Sequence, residues 1–123
     1  EPLIHYSAIV DNFLFSHAGV TKTWAKQNNL DLNDLNFSIN TLPLNSFAFN
    51  DKDYSNCGEH KSQGPMWVRP KSLKEDAIDG YTQIVGHTRQ LSIKIEEDFA
   101  FIDSLENREF LSIEDGVMIV NII

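Results

Sequence analysis

Apolar positions along the chain fall into short runs set apart by turn-forming pairs, and the spacing changes from one run to the next. Near the start, Tyr6 to Val10 and Phe13 to Ser16 are two β-rich runs joined at Asp11-Asn12, a pair that accepts the positive φ of a tight hairpin. After Gly19, the segment TKTWAKQNN offers Thr21 as an N-cap and Asn28-Asn29 as a stop, which predicts a short helix. Leu32, Leu35, Ile39 and Leu42 recur at three- and four-residue intervals and predict a second helix from about Asn33 to Asn40. From Pro43 to Pro70 the pattern gives way to Asn, Asp, Ser and Gly with Phe47, Phe49 and Trp67 embedded. Long irregular connections are usually functional or disordered, and the aromatics argue against disorder. Between Leu73 and Asp79, the run Lys74, Glu75, Asp76 reads as a solvated helix face.

The second half is cleaner. Tyr81 to Val85 is a β-rich run ending in Gly86-His87, LSIKIE alternates from Leu91 to Glu96, and Phe99 to Ile102 is a compact apolar run. Phe110 to Ile113 pairs with Val117 to Ile123 across Glu114-Asp115-Gly116, where Asp-Gly is a strong hairpin signal. The expected fold is therefore β-rich, α+β or α/β, with a few helices inserted between the early strands. There is no internal repeat and no glycine-rich phosphate loop.

At 123 residues the chain fits one domain or part of one. A net charge of -8 disfavours nucleic acid as a general partner, because a polyanion is repelled unless the basic side chains gather on one face. The single cysteine, Cys57, has no internal disulfide partner and points to a reducing compartment. No apolar run is long enough to cross a bilayer, and the opening EPLIHYS lacks the layout of a signal peptide. A cytoplasmic protein without a membrane partner is the expectation. The chain opens on Glu-Pro and not Met, which suggests a processed or truncated product.

Two histidines share one local grammar. Phe13-Leu14-Phe15-Ser16 leads to His17-Ala18-Gly19, and Tyr81 to Gly86 leads to His87-Thr88. Each histidine follows an apolar strand beside a small residue, a placement at the rim of a sheet where glycine permits close backbone approach. A neutral imidazole there can ligate zinc, manganese or iron; a histidine after a strand also serves simply as a hydrogen-bonded structural residue. His5 and His60 lack this context and read as structural or exposed. In GPMWVRP, residues 64 to 70, Pro70 keeps Arg69 out of the helical region, so its planar fork is available either to a phosphate or carboxylate or for stacking on Trp67. Cys57 and His60 have the spacing of half a zinc site but no second pair, so both read as structural. Arg89 reads as a surface residue, with attraction of an anionic substrate as the alternative. Phe47, Phe49 and Tyr54 read first as packing residues.

Taken in order, FLFSHAG, PMWVR and QIVGHT resemble the second half of a calcineurin-like metallophosphoesterase, of the type of the bacterial and phage serine/threonine protein phosphatases and the symmetrical diadenosine tetraphosphatases. The stretch AFIDS at residues 100 to 104 is similar to that family's I-D-[TS] strand, and the closing hairpin also fits. The resemblance implies that His17 and His87 are ligands of one of two divalent metal ions (Mn, Fe or Zn), that Arg69 binds the substrate phosphate, and that Phe47, Phe49 and Tyr54 lie in an insertion that shapes substrate access. It implies a four-layer α/β/β/α sandwich, of which residues 1–123 are a single partial, C-terminal portion. The substrate is then a phosphorylated protein or a dinucleoside polyphosphate.

The family's first half carries D-x-H, G-D-x-x-D-R-G and G-N-H-[ED], and none of these occurs here; GEH at Gly58 to His60 is no substitute. Two-metal hydrolysis needs ions about 3.5–4 Å apart that acidify a shared water and neutralise the transferring phosphoryl. A catalytic metal normally holds three protein ligands. The expectation is a phosphoesterase parent, with this chain alone inactive, binding metal weakly or not at all, and self-associating through exposed apolar surface. The alternative is a non-catalytic β-rich binding or interaction module.

Overall fold

A computed structural model describes residues 4–51 and 59–123. Two short strands, β1 (Ser7–Val10) and β2 (Phe13–Ser16), form the first hairpin, and Asp11 takes the expected positive φ at its turn. Helix α1 (Lys22–Gln27) follows, capped as its sequence predicts: Thr21 Oγ1 accepts the Trp24 backbone N–H at 3.0 Å. The same hydroxyl donates to the Lys61 carbonyl at 2.6 Å, tying the helix start to the long connection. The second helix, α2 (Leu35–Asn40), is shorter than its apolar spacing predicts. It is fastened to β1 through Asn40, whose Oδ1 accepts the Tyr6 and Ser7 N–H groups.

Among its described residues the long connection is irregular apart from a 3-10 turn at Leu44–Phe47, and it ends in α3 (Pro70–Asp76). Cys57, Tyr54 and Gly58 lie outside the described residues. The remaining strands are β3 (Thr82–Val85), β4 (Lys94–Glu96), β5 (Phe99–Phe101), β6 (Glu109–Glu114) and β7 (Val117–Ile122). The first five form one mixed sheet in the order β1-β2-β3-β5-β4, with β2, β3 and β5 parallel; β6 and β7 form a separate two-stranded sheet.

Alternation along the strands divides the core into layers. Leu14, Val85 and Phe101 face the helices, in clusters with Trp24, Ile39 and Leu73. Phe13, Ile84 and Ala100 face the other way, where Leu111, Ile113 and Met118 of the hairpin pack on them. The result is a β-rich α+β fold: helices, a five-stranded mixed sheet, and a small hairpin on the far face.

Candidate functional site

Parallel pairing decides where the two histidines go. Ser16, the last residue of β2, is in register with Val85, the last of β3, so both strands end at one rim. The open carboxyl ends of parallel strands are where such sheets collect ligand-binding groups. Beyond the strands the Gly86 N–H donates to the His17 carbonyl at 2.9 Å, which extends the pairing to the histidines themselves. The chain then turns back: Thr88 N–H donates to the Gly86 carbonyl at 2.7 Å across His87, whose φ is 63°. This three-residue turn in a sparsely populated backbone region aims the His87 ring at His17. His17 Nε2 and His87 Nδ1 stand 3.0 Å apart, with their rings edge to face.

The glycines have unequal parts in this geometry. At Gly19 φ is +116°, and a Cβ would lie 2.5 Å from a methyl of the buried Leu73, so any side chain there strains the backbone and displaces Leu73 where the chain passes α3. At Gly86 a Cβ would meet the His17 carbonyl oxygen at 3.7 Å, an ordinary contact. The close approach of the two histidines therefore rests on strand register and the His87 turn, and not on Gly86.

The PMWVR segment is brought to the same rim. The Ala18 N–H donates to the Pro65 carbonyl at 2.6 Å, and Trp67 and Val68 both donate to the Gly64 carbonyl. Arg69 is extended (φ -95°, ψ 158°) as the following proline requires. Its Nη1 donates to Thr88 Oγ1 at 3.2 Å, which sets the guanidinium beside the residue that follows His87. Trp67 presents its ring to His87 edge to face at 6.1 Å, and Phe49 packs on Trp67 in the same manner at 5.3 Å.

His87 is half-buried, and its Nε2 is enclosed with no partner at full hydrogen-bonding geometry. Burial, followed by the neighbouring His17 and the Arg69 guanidinium, lowers its pKa below the ordinary imidazole value; the Trp67 carbonyl and the Asp103 carboxylate oppose them. The ring is thus biased toward the neutral form, the form that ligates metals. Two nitrogen donors each about 2.0–2.1 Å from one cation stand about 2.9 Å apart at a right angle and about 3.4 Å apart at the tetrahedral angle. The His17–His87 separation lies within that interval, so by distance the pair accommodates either a shared cation or the hydrogen bond between imidazoles. Among the described residues no cluster of three or more His, Cys, Asp or Glu side chains could hold a metal.

Three residues singled out in the sequence, His17, His87 and Arg69, are therefore brought together. His5 and His60 are exposed, and His60 Nδ1 is hydrogen-bonded to Ser62. Arg89 is an exposed surface residue paired with Glu106. Sequence reasoning missed Thr88 as the acceptor for Arg69 and Asp103 as a charge acting on His87; the order Gly-His-Thr and Ile-Asp-Ser was the available signal. A groove of about 750 Å³ opens at the opposite end of the strands, beside Asn12, Lys26, Leu30 and Tyr81, away from this rim. No family model matches the sequence, and comparison with curated proteins and with solved structures finds no match.

Proposed function

We propose that this chain is the C-terminal part of a metal-dependent phosphoesterase of the calcineurin-like type, with the rim bearing His17, His87 and Arg69 as its share of the active site. One observation carries the reading: imidazoles 70 residues apart in sequence converge to 3.0 Å between ring nitrogens, at a separation suited to one cation, with a guanidinium beside them. In this reading His17 Nε2 and His87 Nδ1 hold one divalent ion, and Arg69 clamps phosphate oxygens with its planar fork. Divalent ions, when bound, would neutralise charge on the phosphoryl group and acidify a water. The His87 turn orients one ligand, and Thr88 orients Arg69. The layering of helices, sheet and hairpin is compatible with part of a four-layer α/β/β/α sandwich. Two imidazoles without a carboxylate fall short of a full ligand set, so the isolated chain has little or no turnover of its own.

The rival, a non-catalytic β-rich module, draws support from the same 3.0 Å contact, because a hydrogen bond between two imidazoles also serves to staple the ends of β2 and β3. Zinc or manganese titration followed by ring-nitrogen NMR separates the two. Because two imidazoles hold a cation only weakly, the metallophosphoesterase reading expects the His17 and His87 rings to shift together at millimolar cation, and His17→Ala or His87→Asn to abolish that joint shift. Rings that stay unperturbed at millimolar cation, in a folded chain, would leave the staple as their role. His87→Asn is the apt variant because asparagine tolerates the positive φ there.

A further inference from the structure

Phe49 and Trp67 remain unexplained by cation or phosphate binding. They are 38% and 40% exposed, yet they pack on each other edge to face and continue directly into the His87 ring. Packing alone accounts for Phe47, which is buried against Trp24 and Tyr6, but not for two large rings held open to solvent in mutual contact. The backbone under Trp67 is fixed by its bond to the Gly64 carbonyl, so the indole is a set feature of the rim. Arg69, two residues on, faces the same rim through Thr88. The arrangement thus puts a cationic fork, held at Thr88, and a shelf of two part-exposed aromatic rings, in contact with His87 through Trp67, at one rim.

We propose that Phe49 and Trp67 are specificity residues that stack the leaving group of the substrate, so that the site selects phosphate esters ending in a planar ring over aliphatic esters such as phosphoserine. The inference rests on the phosphate-binding reading of Arg69 given above. A phosphoryl group held between Arg69 and the histidines directs its ester substituent outward across the rim, where the shelf meets it. A planar ring there exchanges water for an aromatic face, and such stacking tolerates any flat ring, whether a nucleobase or a phenyl group. A seryl side chain has no surface to offer the shelf.

The test uses the full chain with manganese present and four probes: inorganic phosphate, phosphoserine, phenyl phosphate and AMP, titrated by calorimetry. The expected result is that phenyl phosphate or AMP binds about tenfold more tightly than phosphoserine, the effect of roughly one stacked ring. That ratio falls to near one in Trp67→Ala and largely survives in Trp67→Tyr, and Phe49→Ala, in a loop, lowers it without depending on the fold around Trp67. If AMP exceeds phenyl phosphate the shelf takes a nucleobase; the reverse order assigns it an aryl ester. Phosphoserine binding as tightly as both aromatic esters, while Arg69→Ala still abolishes inorganic phosphate binding, overturns the shelf and spares the phosphate site. If none of the four probes binds, the shelf and the phosphate reading fall together.

Discussion

On the helical face of the five-stranded sheet Leu14, Ile39 and Leu73 are wholly buried, whereas on the hairpin side Val10 is 59% exposed and Ile122 79%. The difference follows from where the covering residues come from. The helices lie in the segment that links β2 to β3, so chain connectivity delivers them to one face. Among the described residues the other face is covered by the distant β6–β7 hairpin, which reaches Phe13, Ile84 and Ala100 but leaves an apolar groove of about 480 Å³ running past Ala8, Phe15 and Ile102 to His17. A domain with one sealed face and one half-covered face has its stability concentrated on the first and its free apolar surface on the second.

Substitution should expose that asymmetry most strongly. Leu73→Ala or Leu14→Ala removes a side chain with nowhere for its neighbours to collapse, and is expected to lower the unfolding free energy by about 2–5 kcal/mol. Ile122→Ala on the open side is expected to stay within about 0.5 kcal/mol. Urea denaturation of the three variants measures both. Equal losses on the two faces would mean that the hairpin side is buried in solution, and the contrast would dissolve.

The second expectation asks what the open face does when exposed. Val10 and Ile122 leave apolar side chains exposed on this side, and a second copy of the chain is the partner nearest to hand at high concentration. Sedimentation velocity is expected to show mass rising with concentration, and Val10→Lys or Ile122→Lys to return the protein to monomer. Lysine on the helical face gives no such clean result, because it unfolds the domain. A monomer at every accessible concentration would show that the open face is better solvated than its composition implies.

Much of the framework was legible before any coordinates. The Asp11-Asn12 and Asp115-Gly116 turns, the Thr21 cap and the end of α1 at Asn28 are local signals, and each appears where its chemistry predicts. The convergence of His17 and His87 could be anticipated only through the family resemblance, since nothing local says that β2 and β3 are adjacent and parallel. Helix α3 shows how one residue carries two messages: Arg69 is extended because proline follows, and that proline is also a good first helical residue. The alternation of LSIKIE promised a six-residue strand, but only Lys94–Glu96 pairs with β5. Its first half is diverted by a tertiary contact that no periodicity encodes, because the Ile93 N–H and the Ser92 hydroxyl both donate to Glu109.

That carboxylate gives the smallest and most specific expectation. Glu109 opens β6 and so fastens the hairpin to the loops that flank β4 and β5, accepting from Ser92 Oγ at 2.8 Å, Ile93 N at 2.8 Å and Ser104 Oγ at 3.0 Å. The Ser92 hydroxyl first, then the Ile93 N–H and the Ser104 hydroxyl, hold its pKa below the ordinary value of 4.5, with partial desolvation opposing them. Because the folded state holds its carboxylate below the unfolded value, the unfolded chain binds more protons in that window, and stability falls as the solution is acidified. The contribution is complete above about pH 4.5 and is lost progressively as pH drops through the lowered folded value. The difference in melting temperature between the parent chain and Glu109→Gln should therefore be constant from pH 8 to about pH 5 and shrink below that, whereas variants of the helical face should keep a constant difference throughout. A Glu109→Gln difference that persists unchanged at pH 3 would mean that the hairpin is held by its apolar seam alone, and that the weakly covered face owes nothing to this carboxylate.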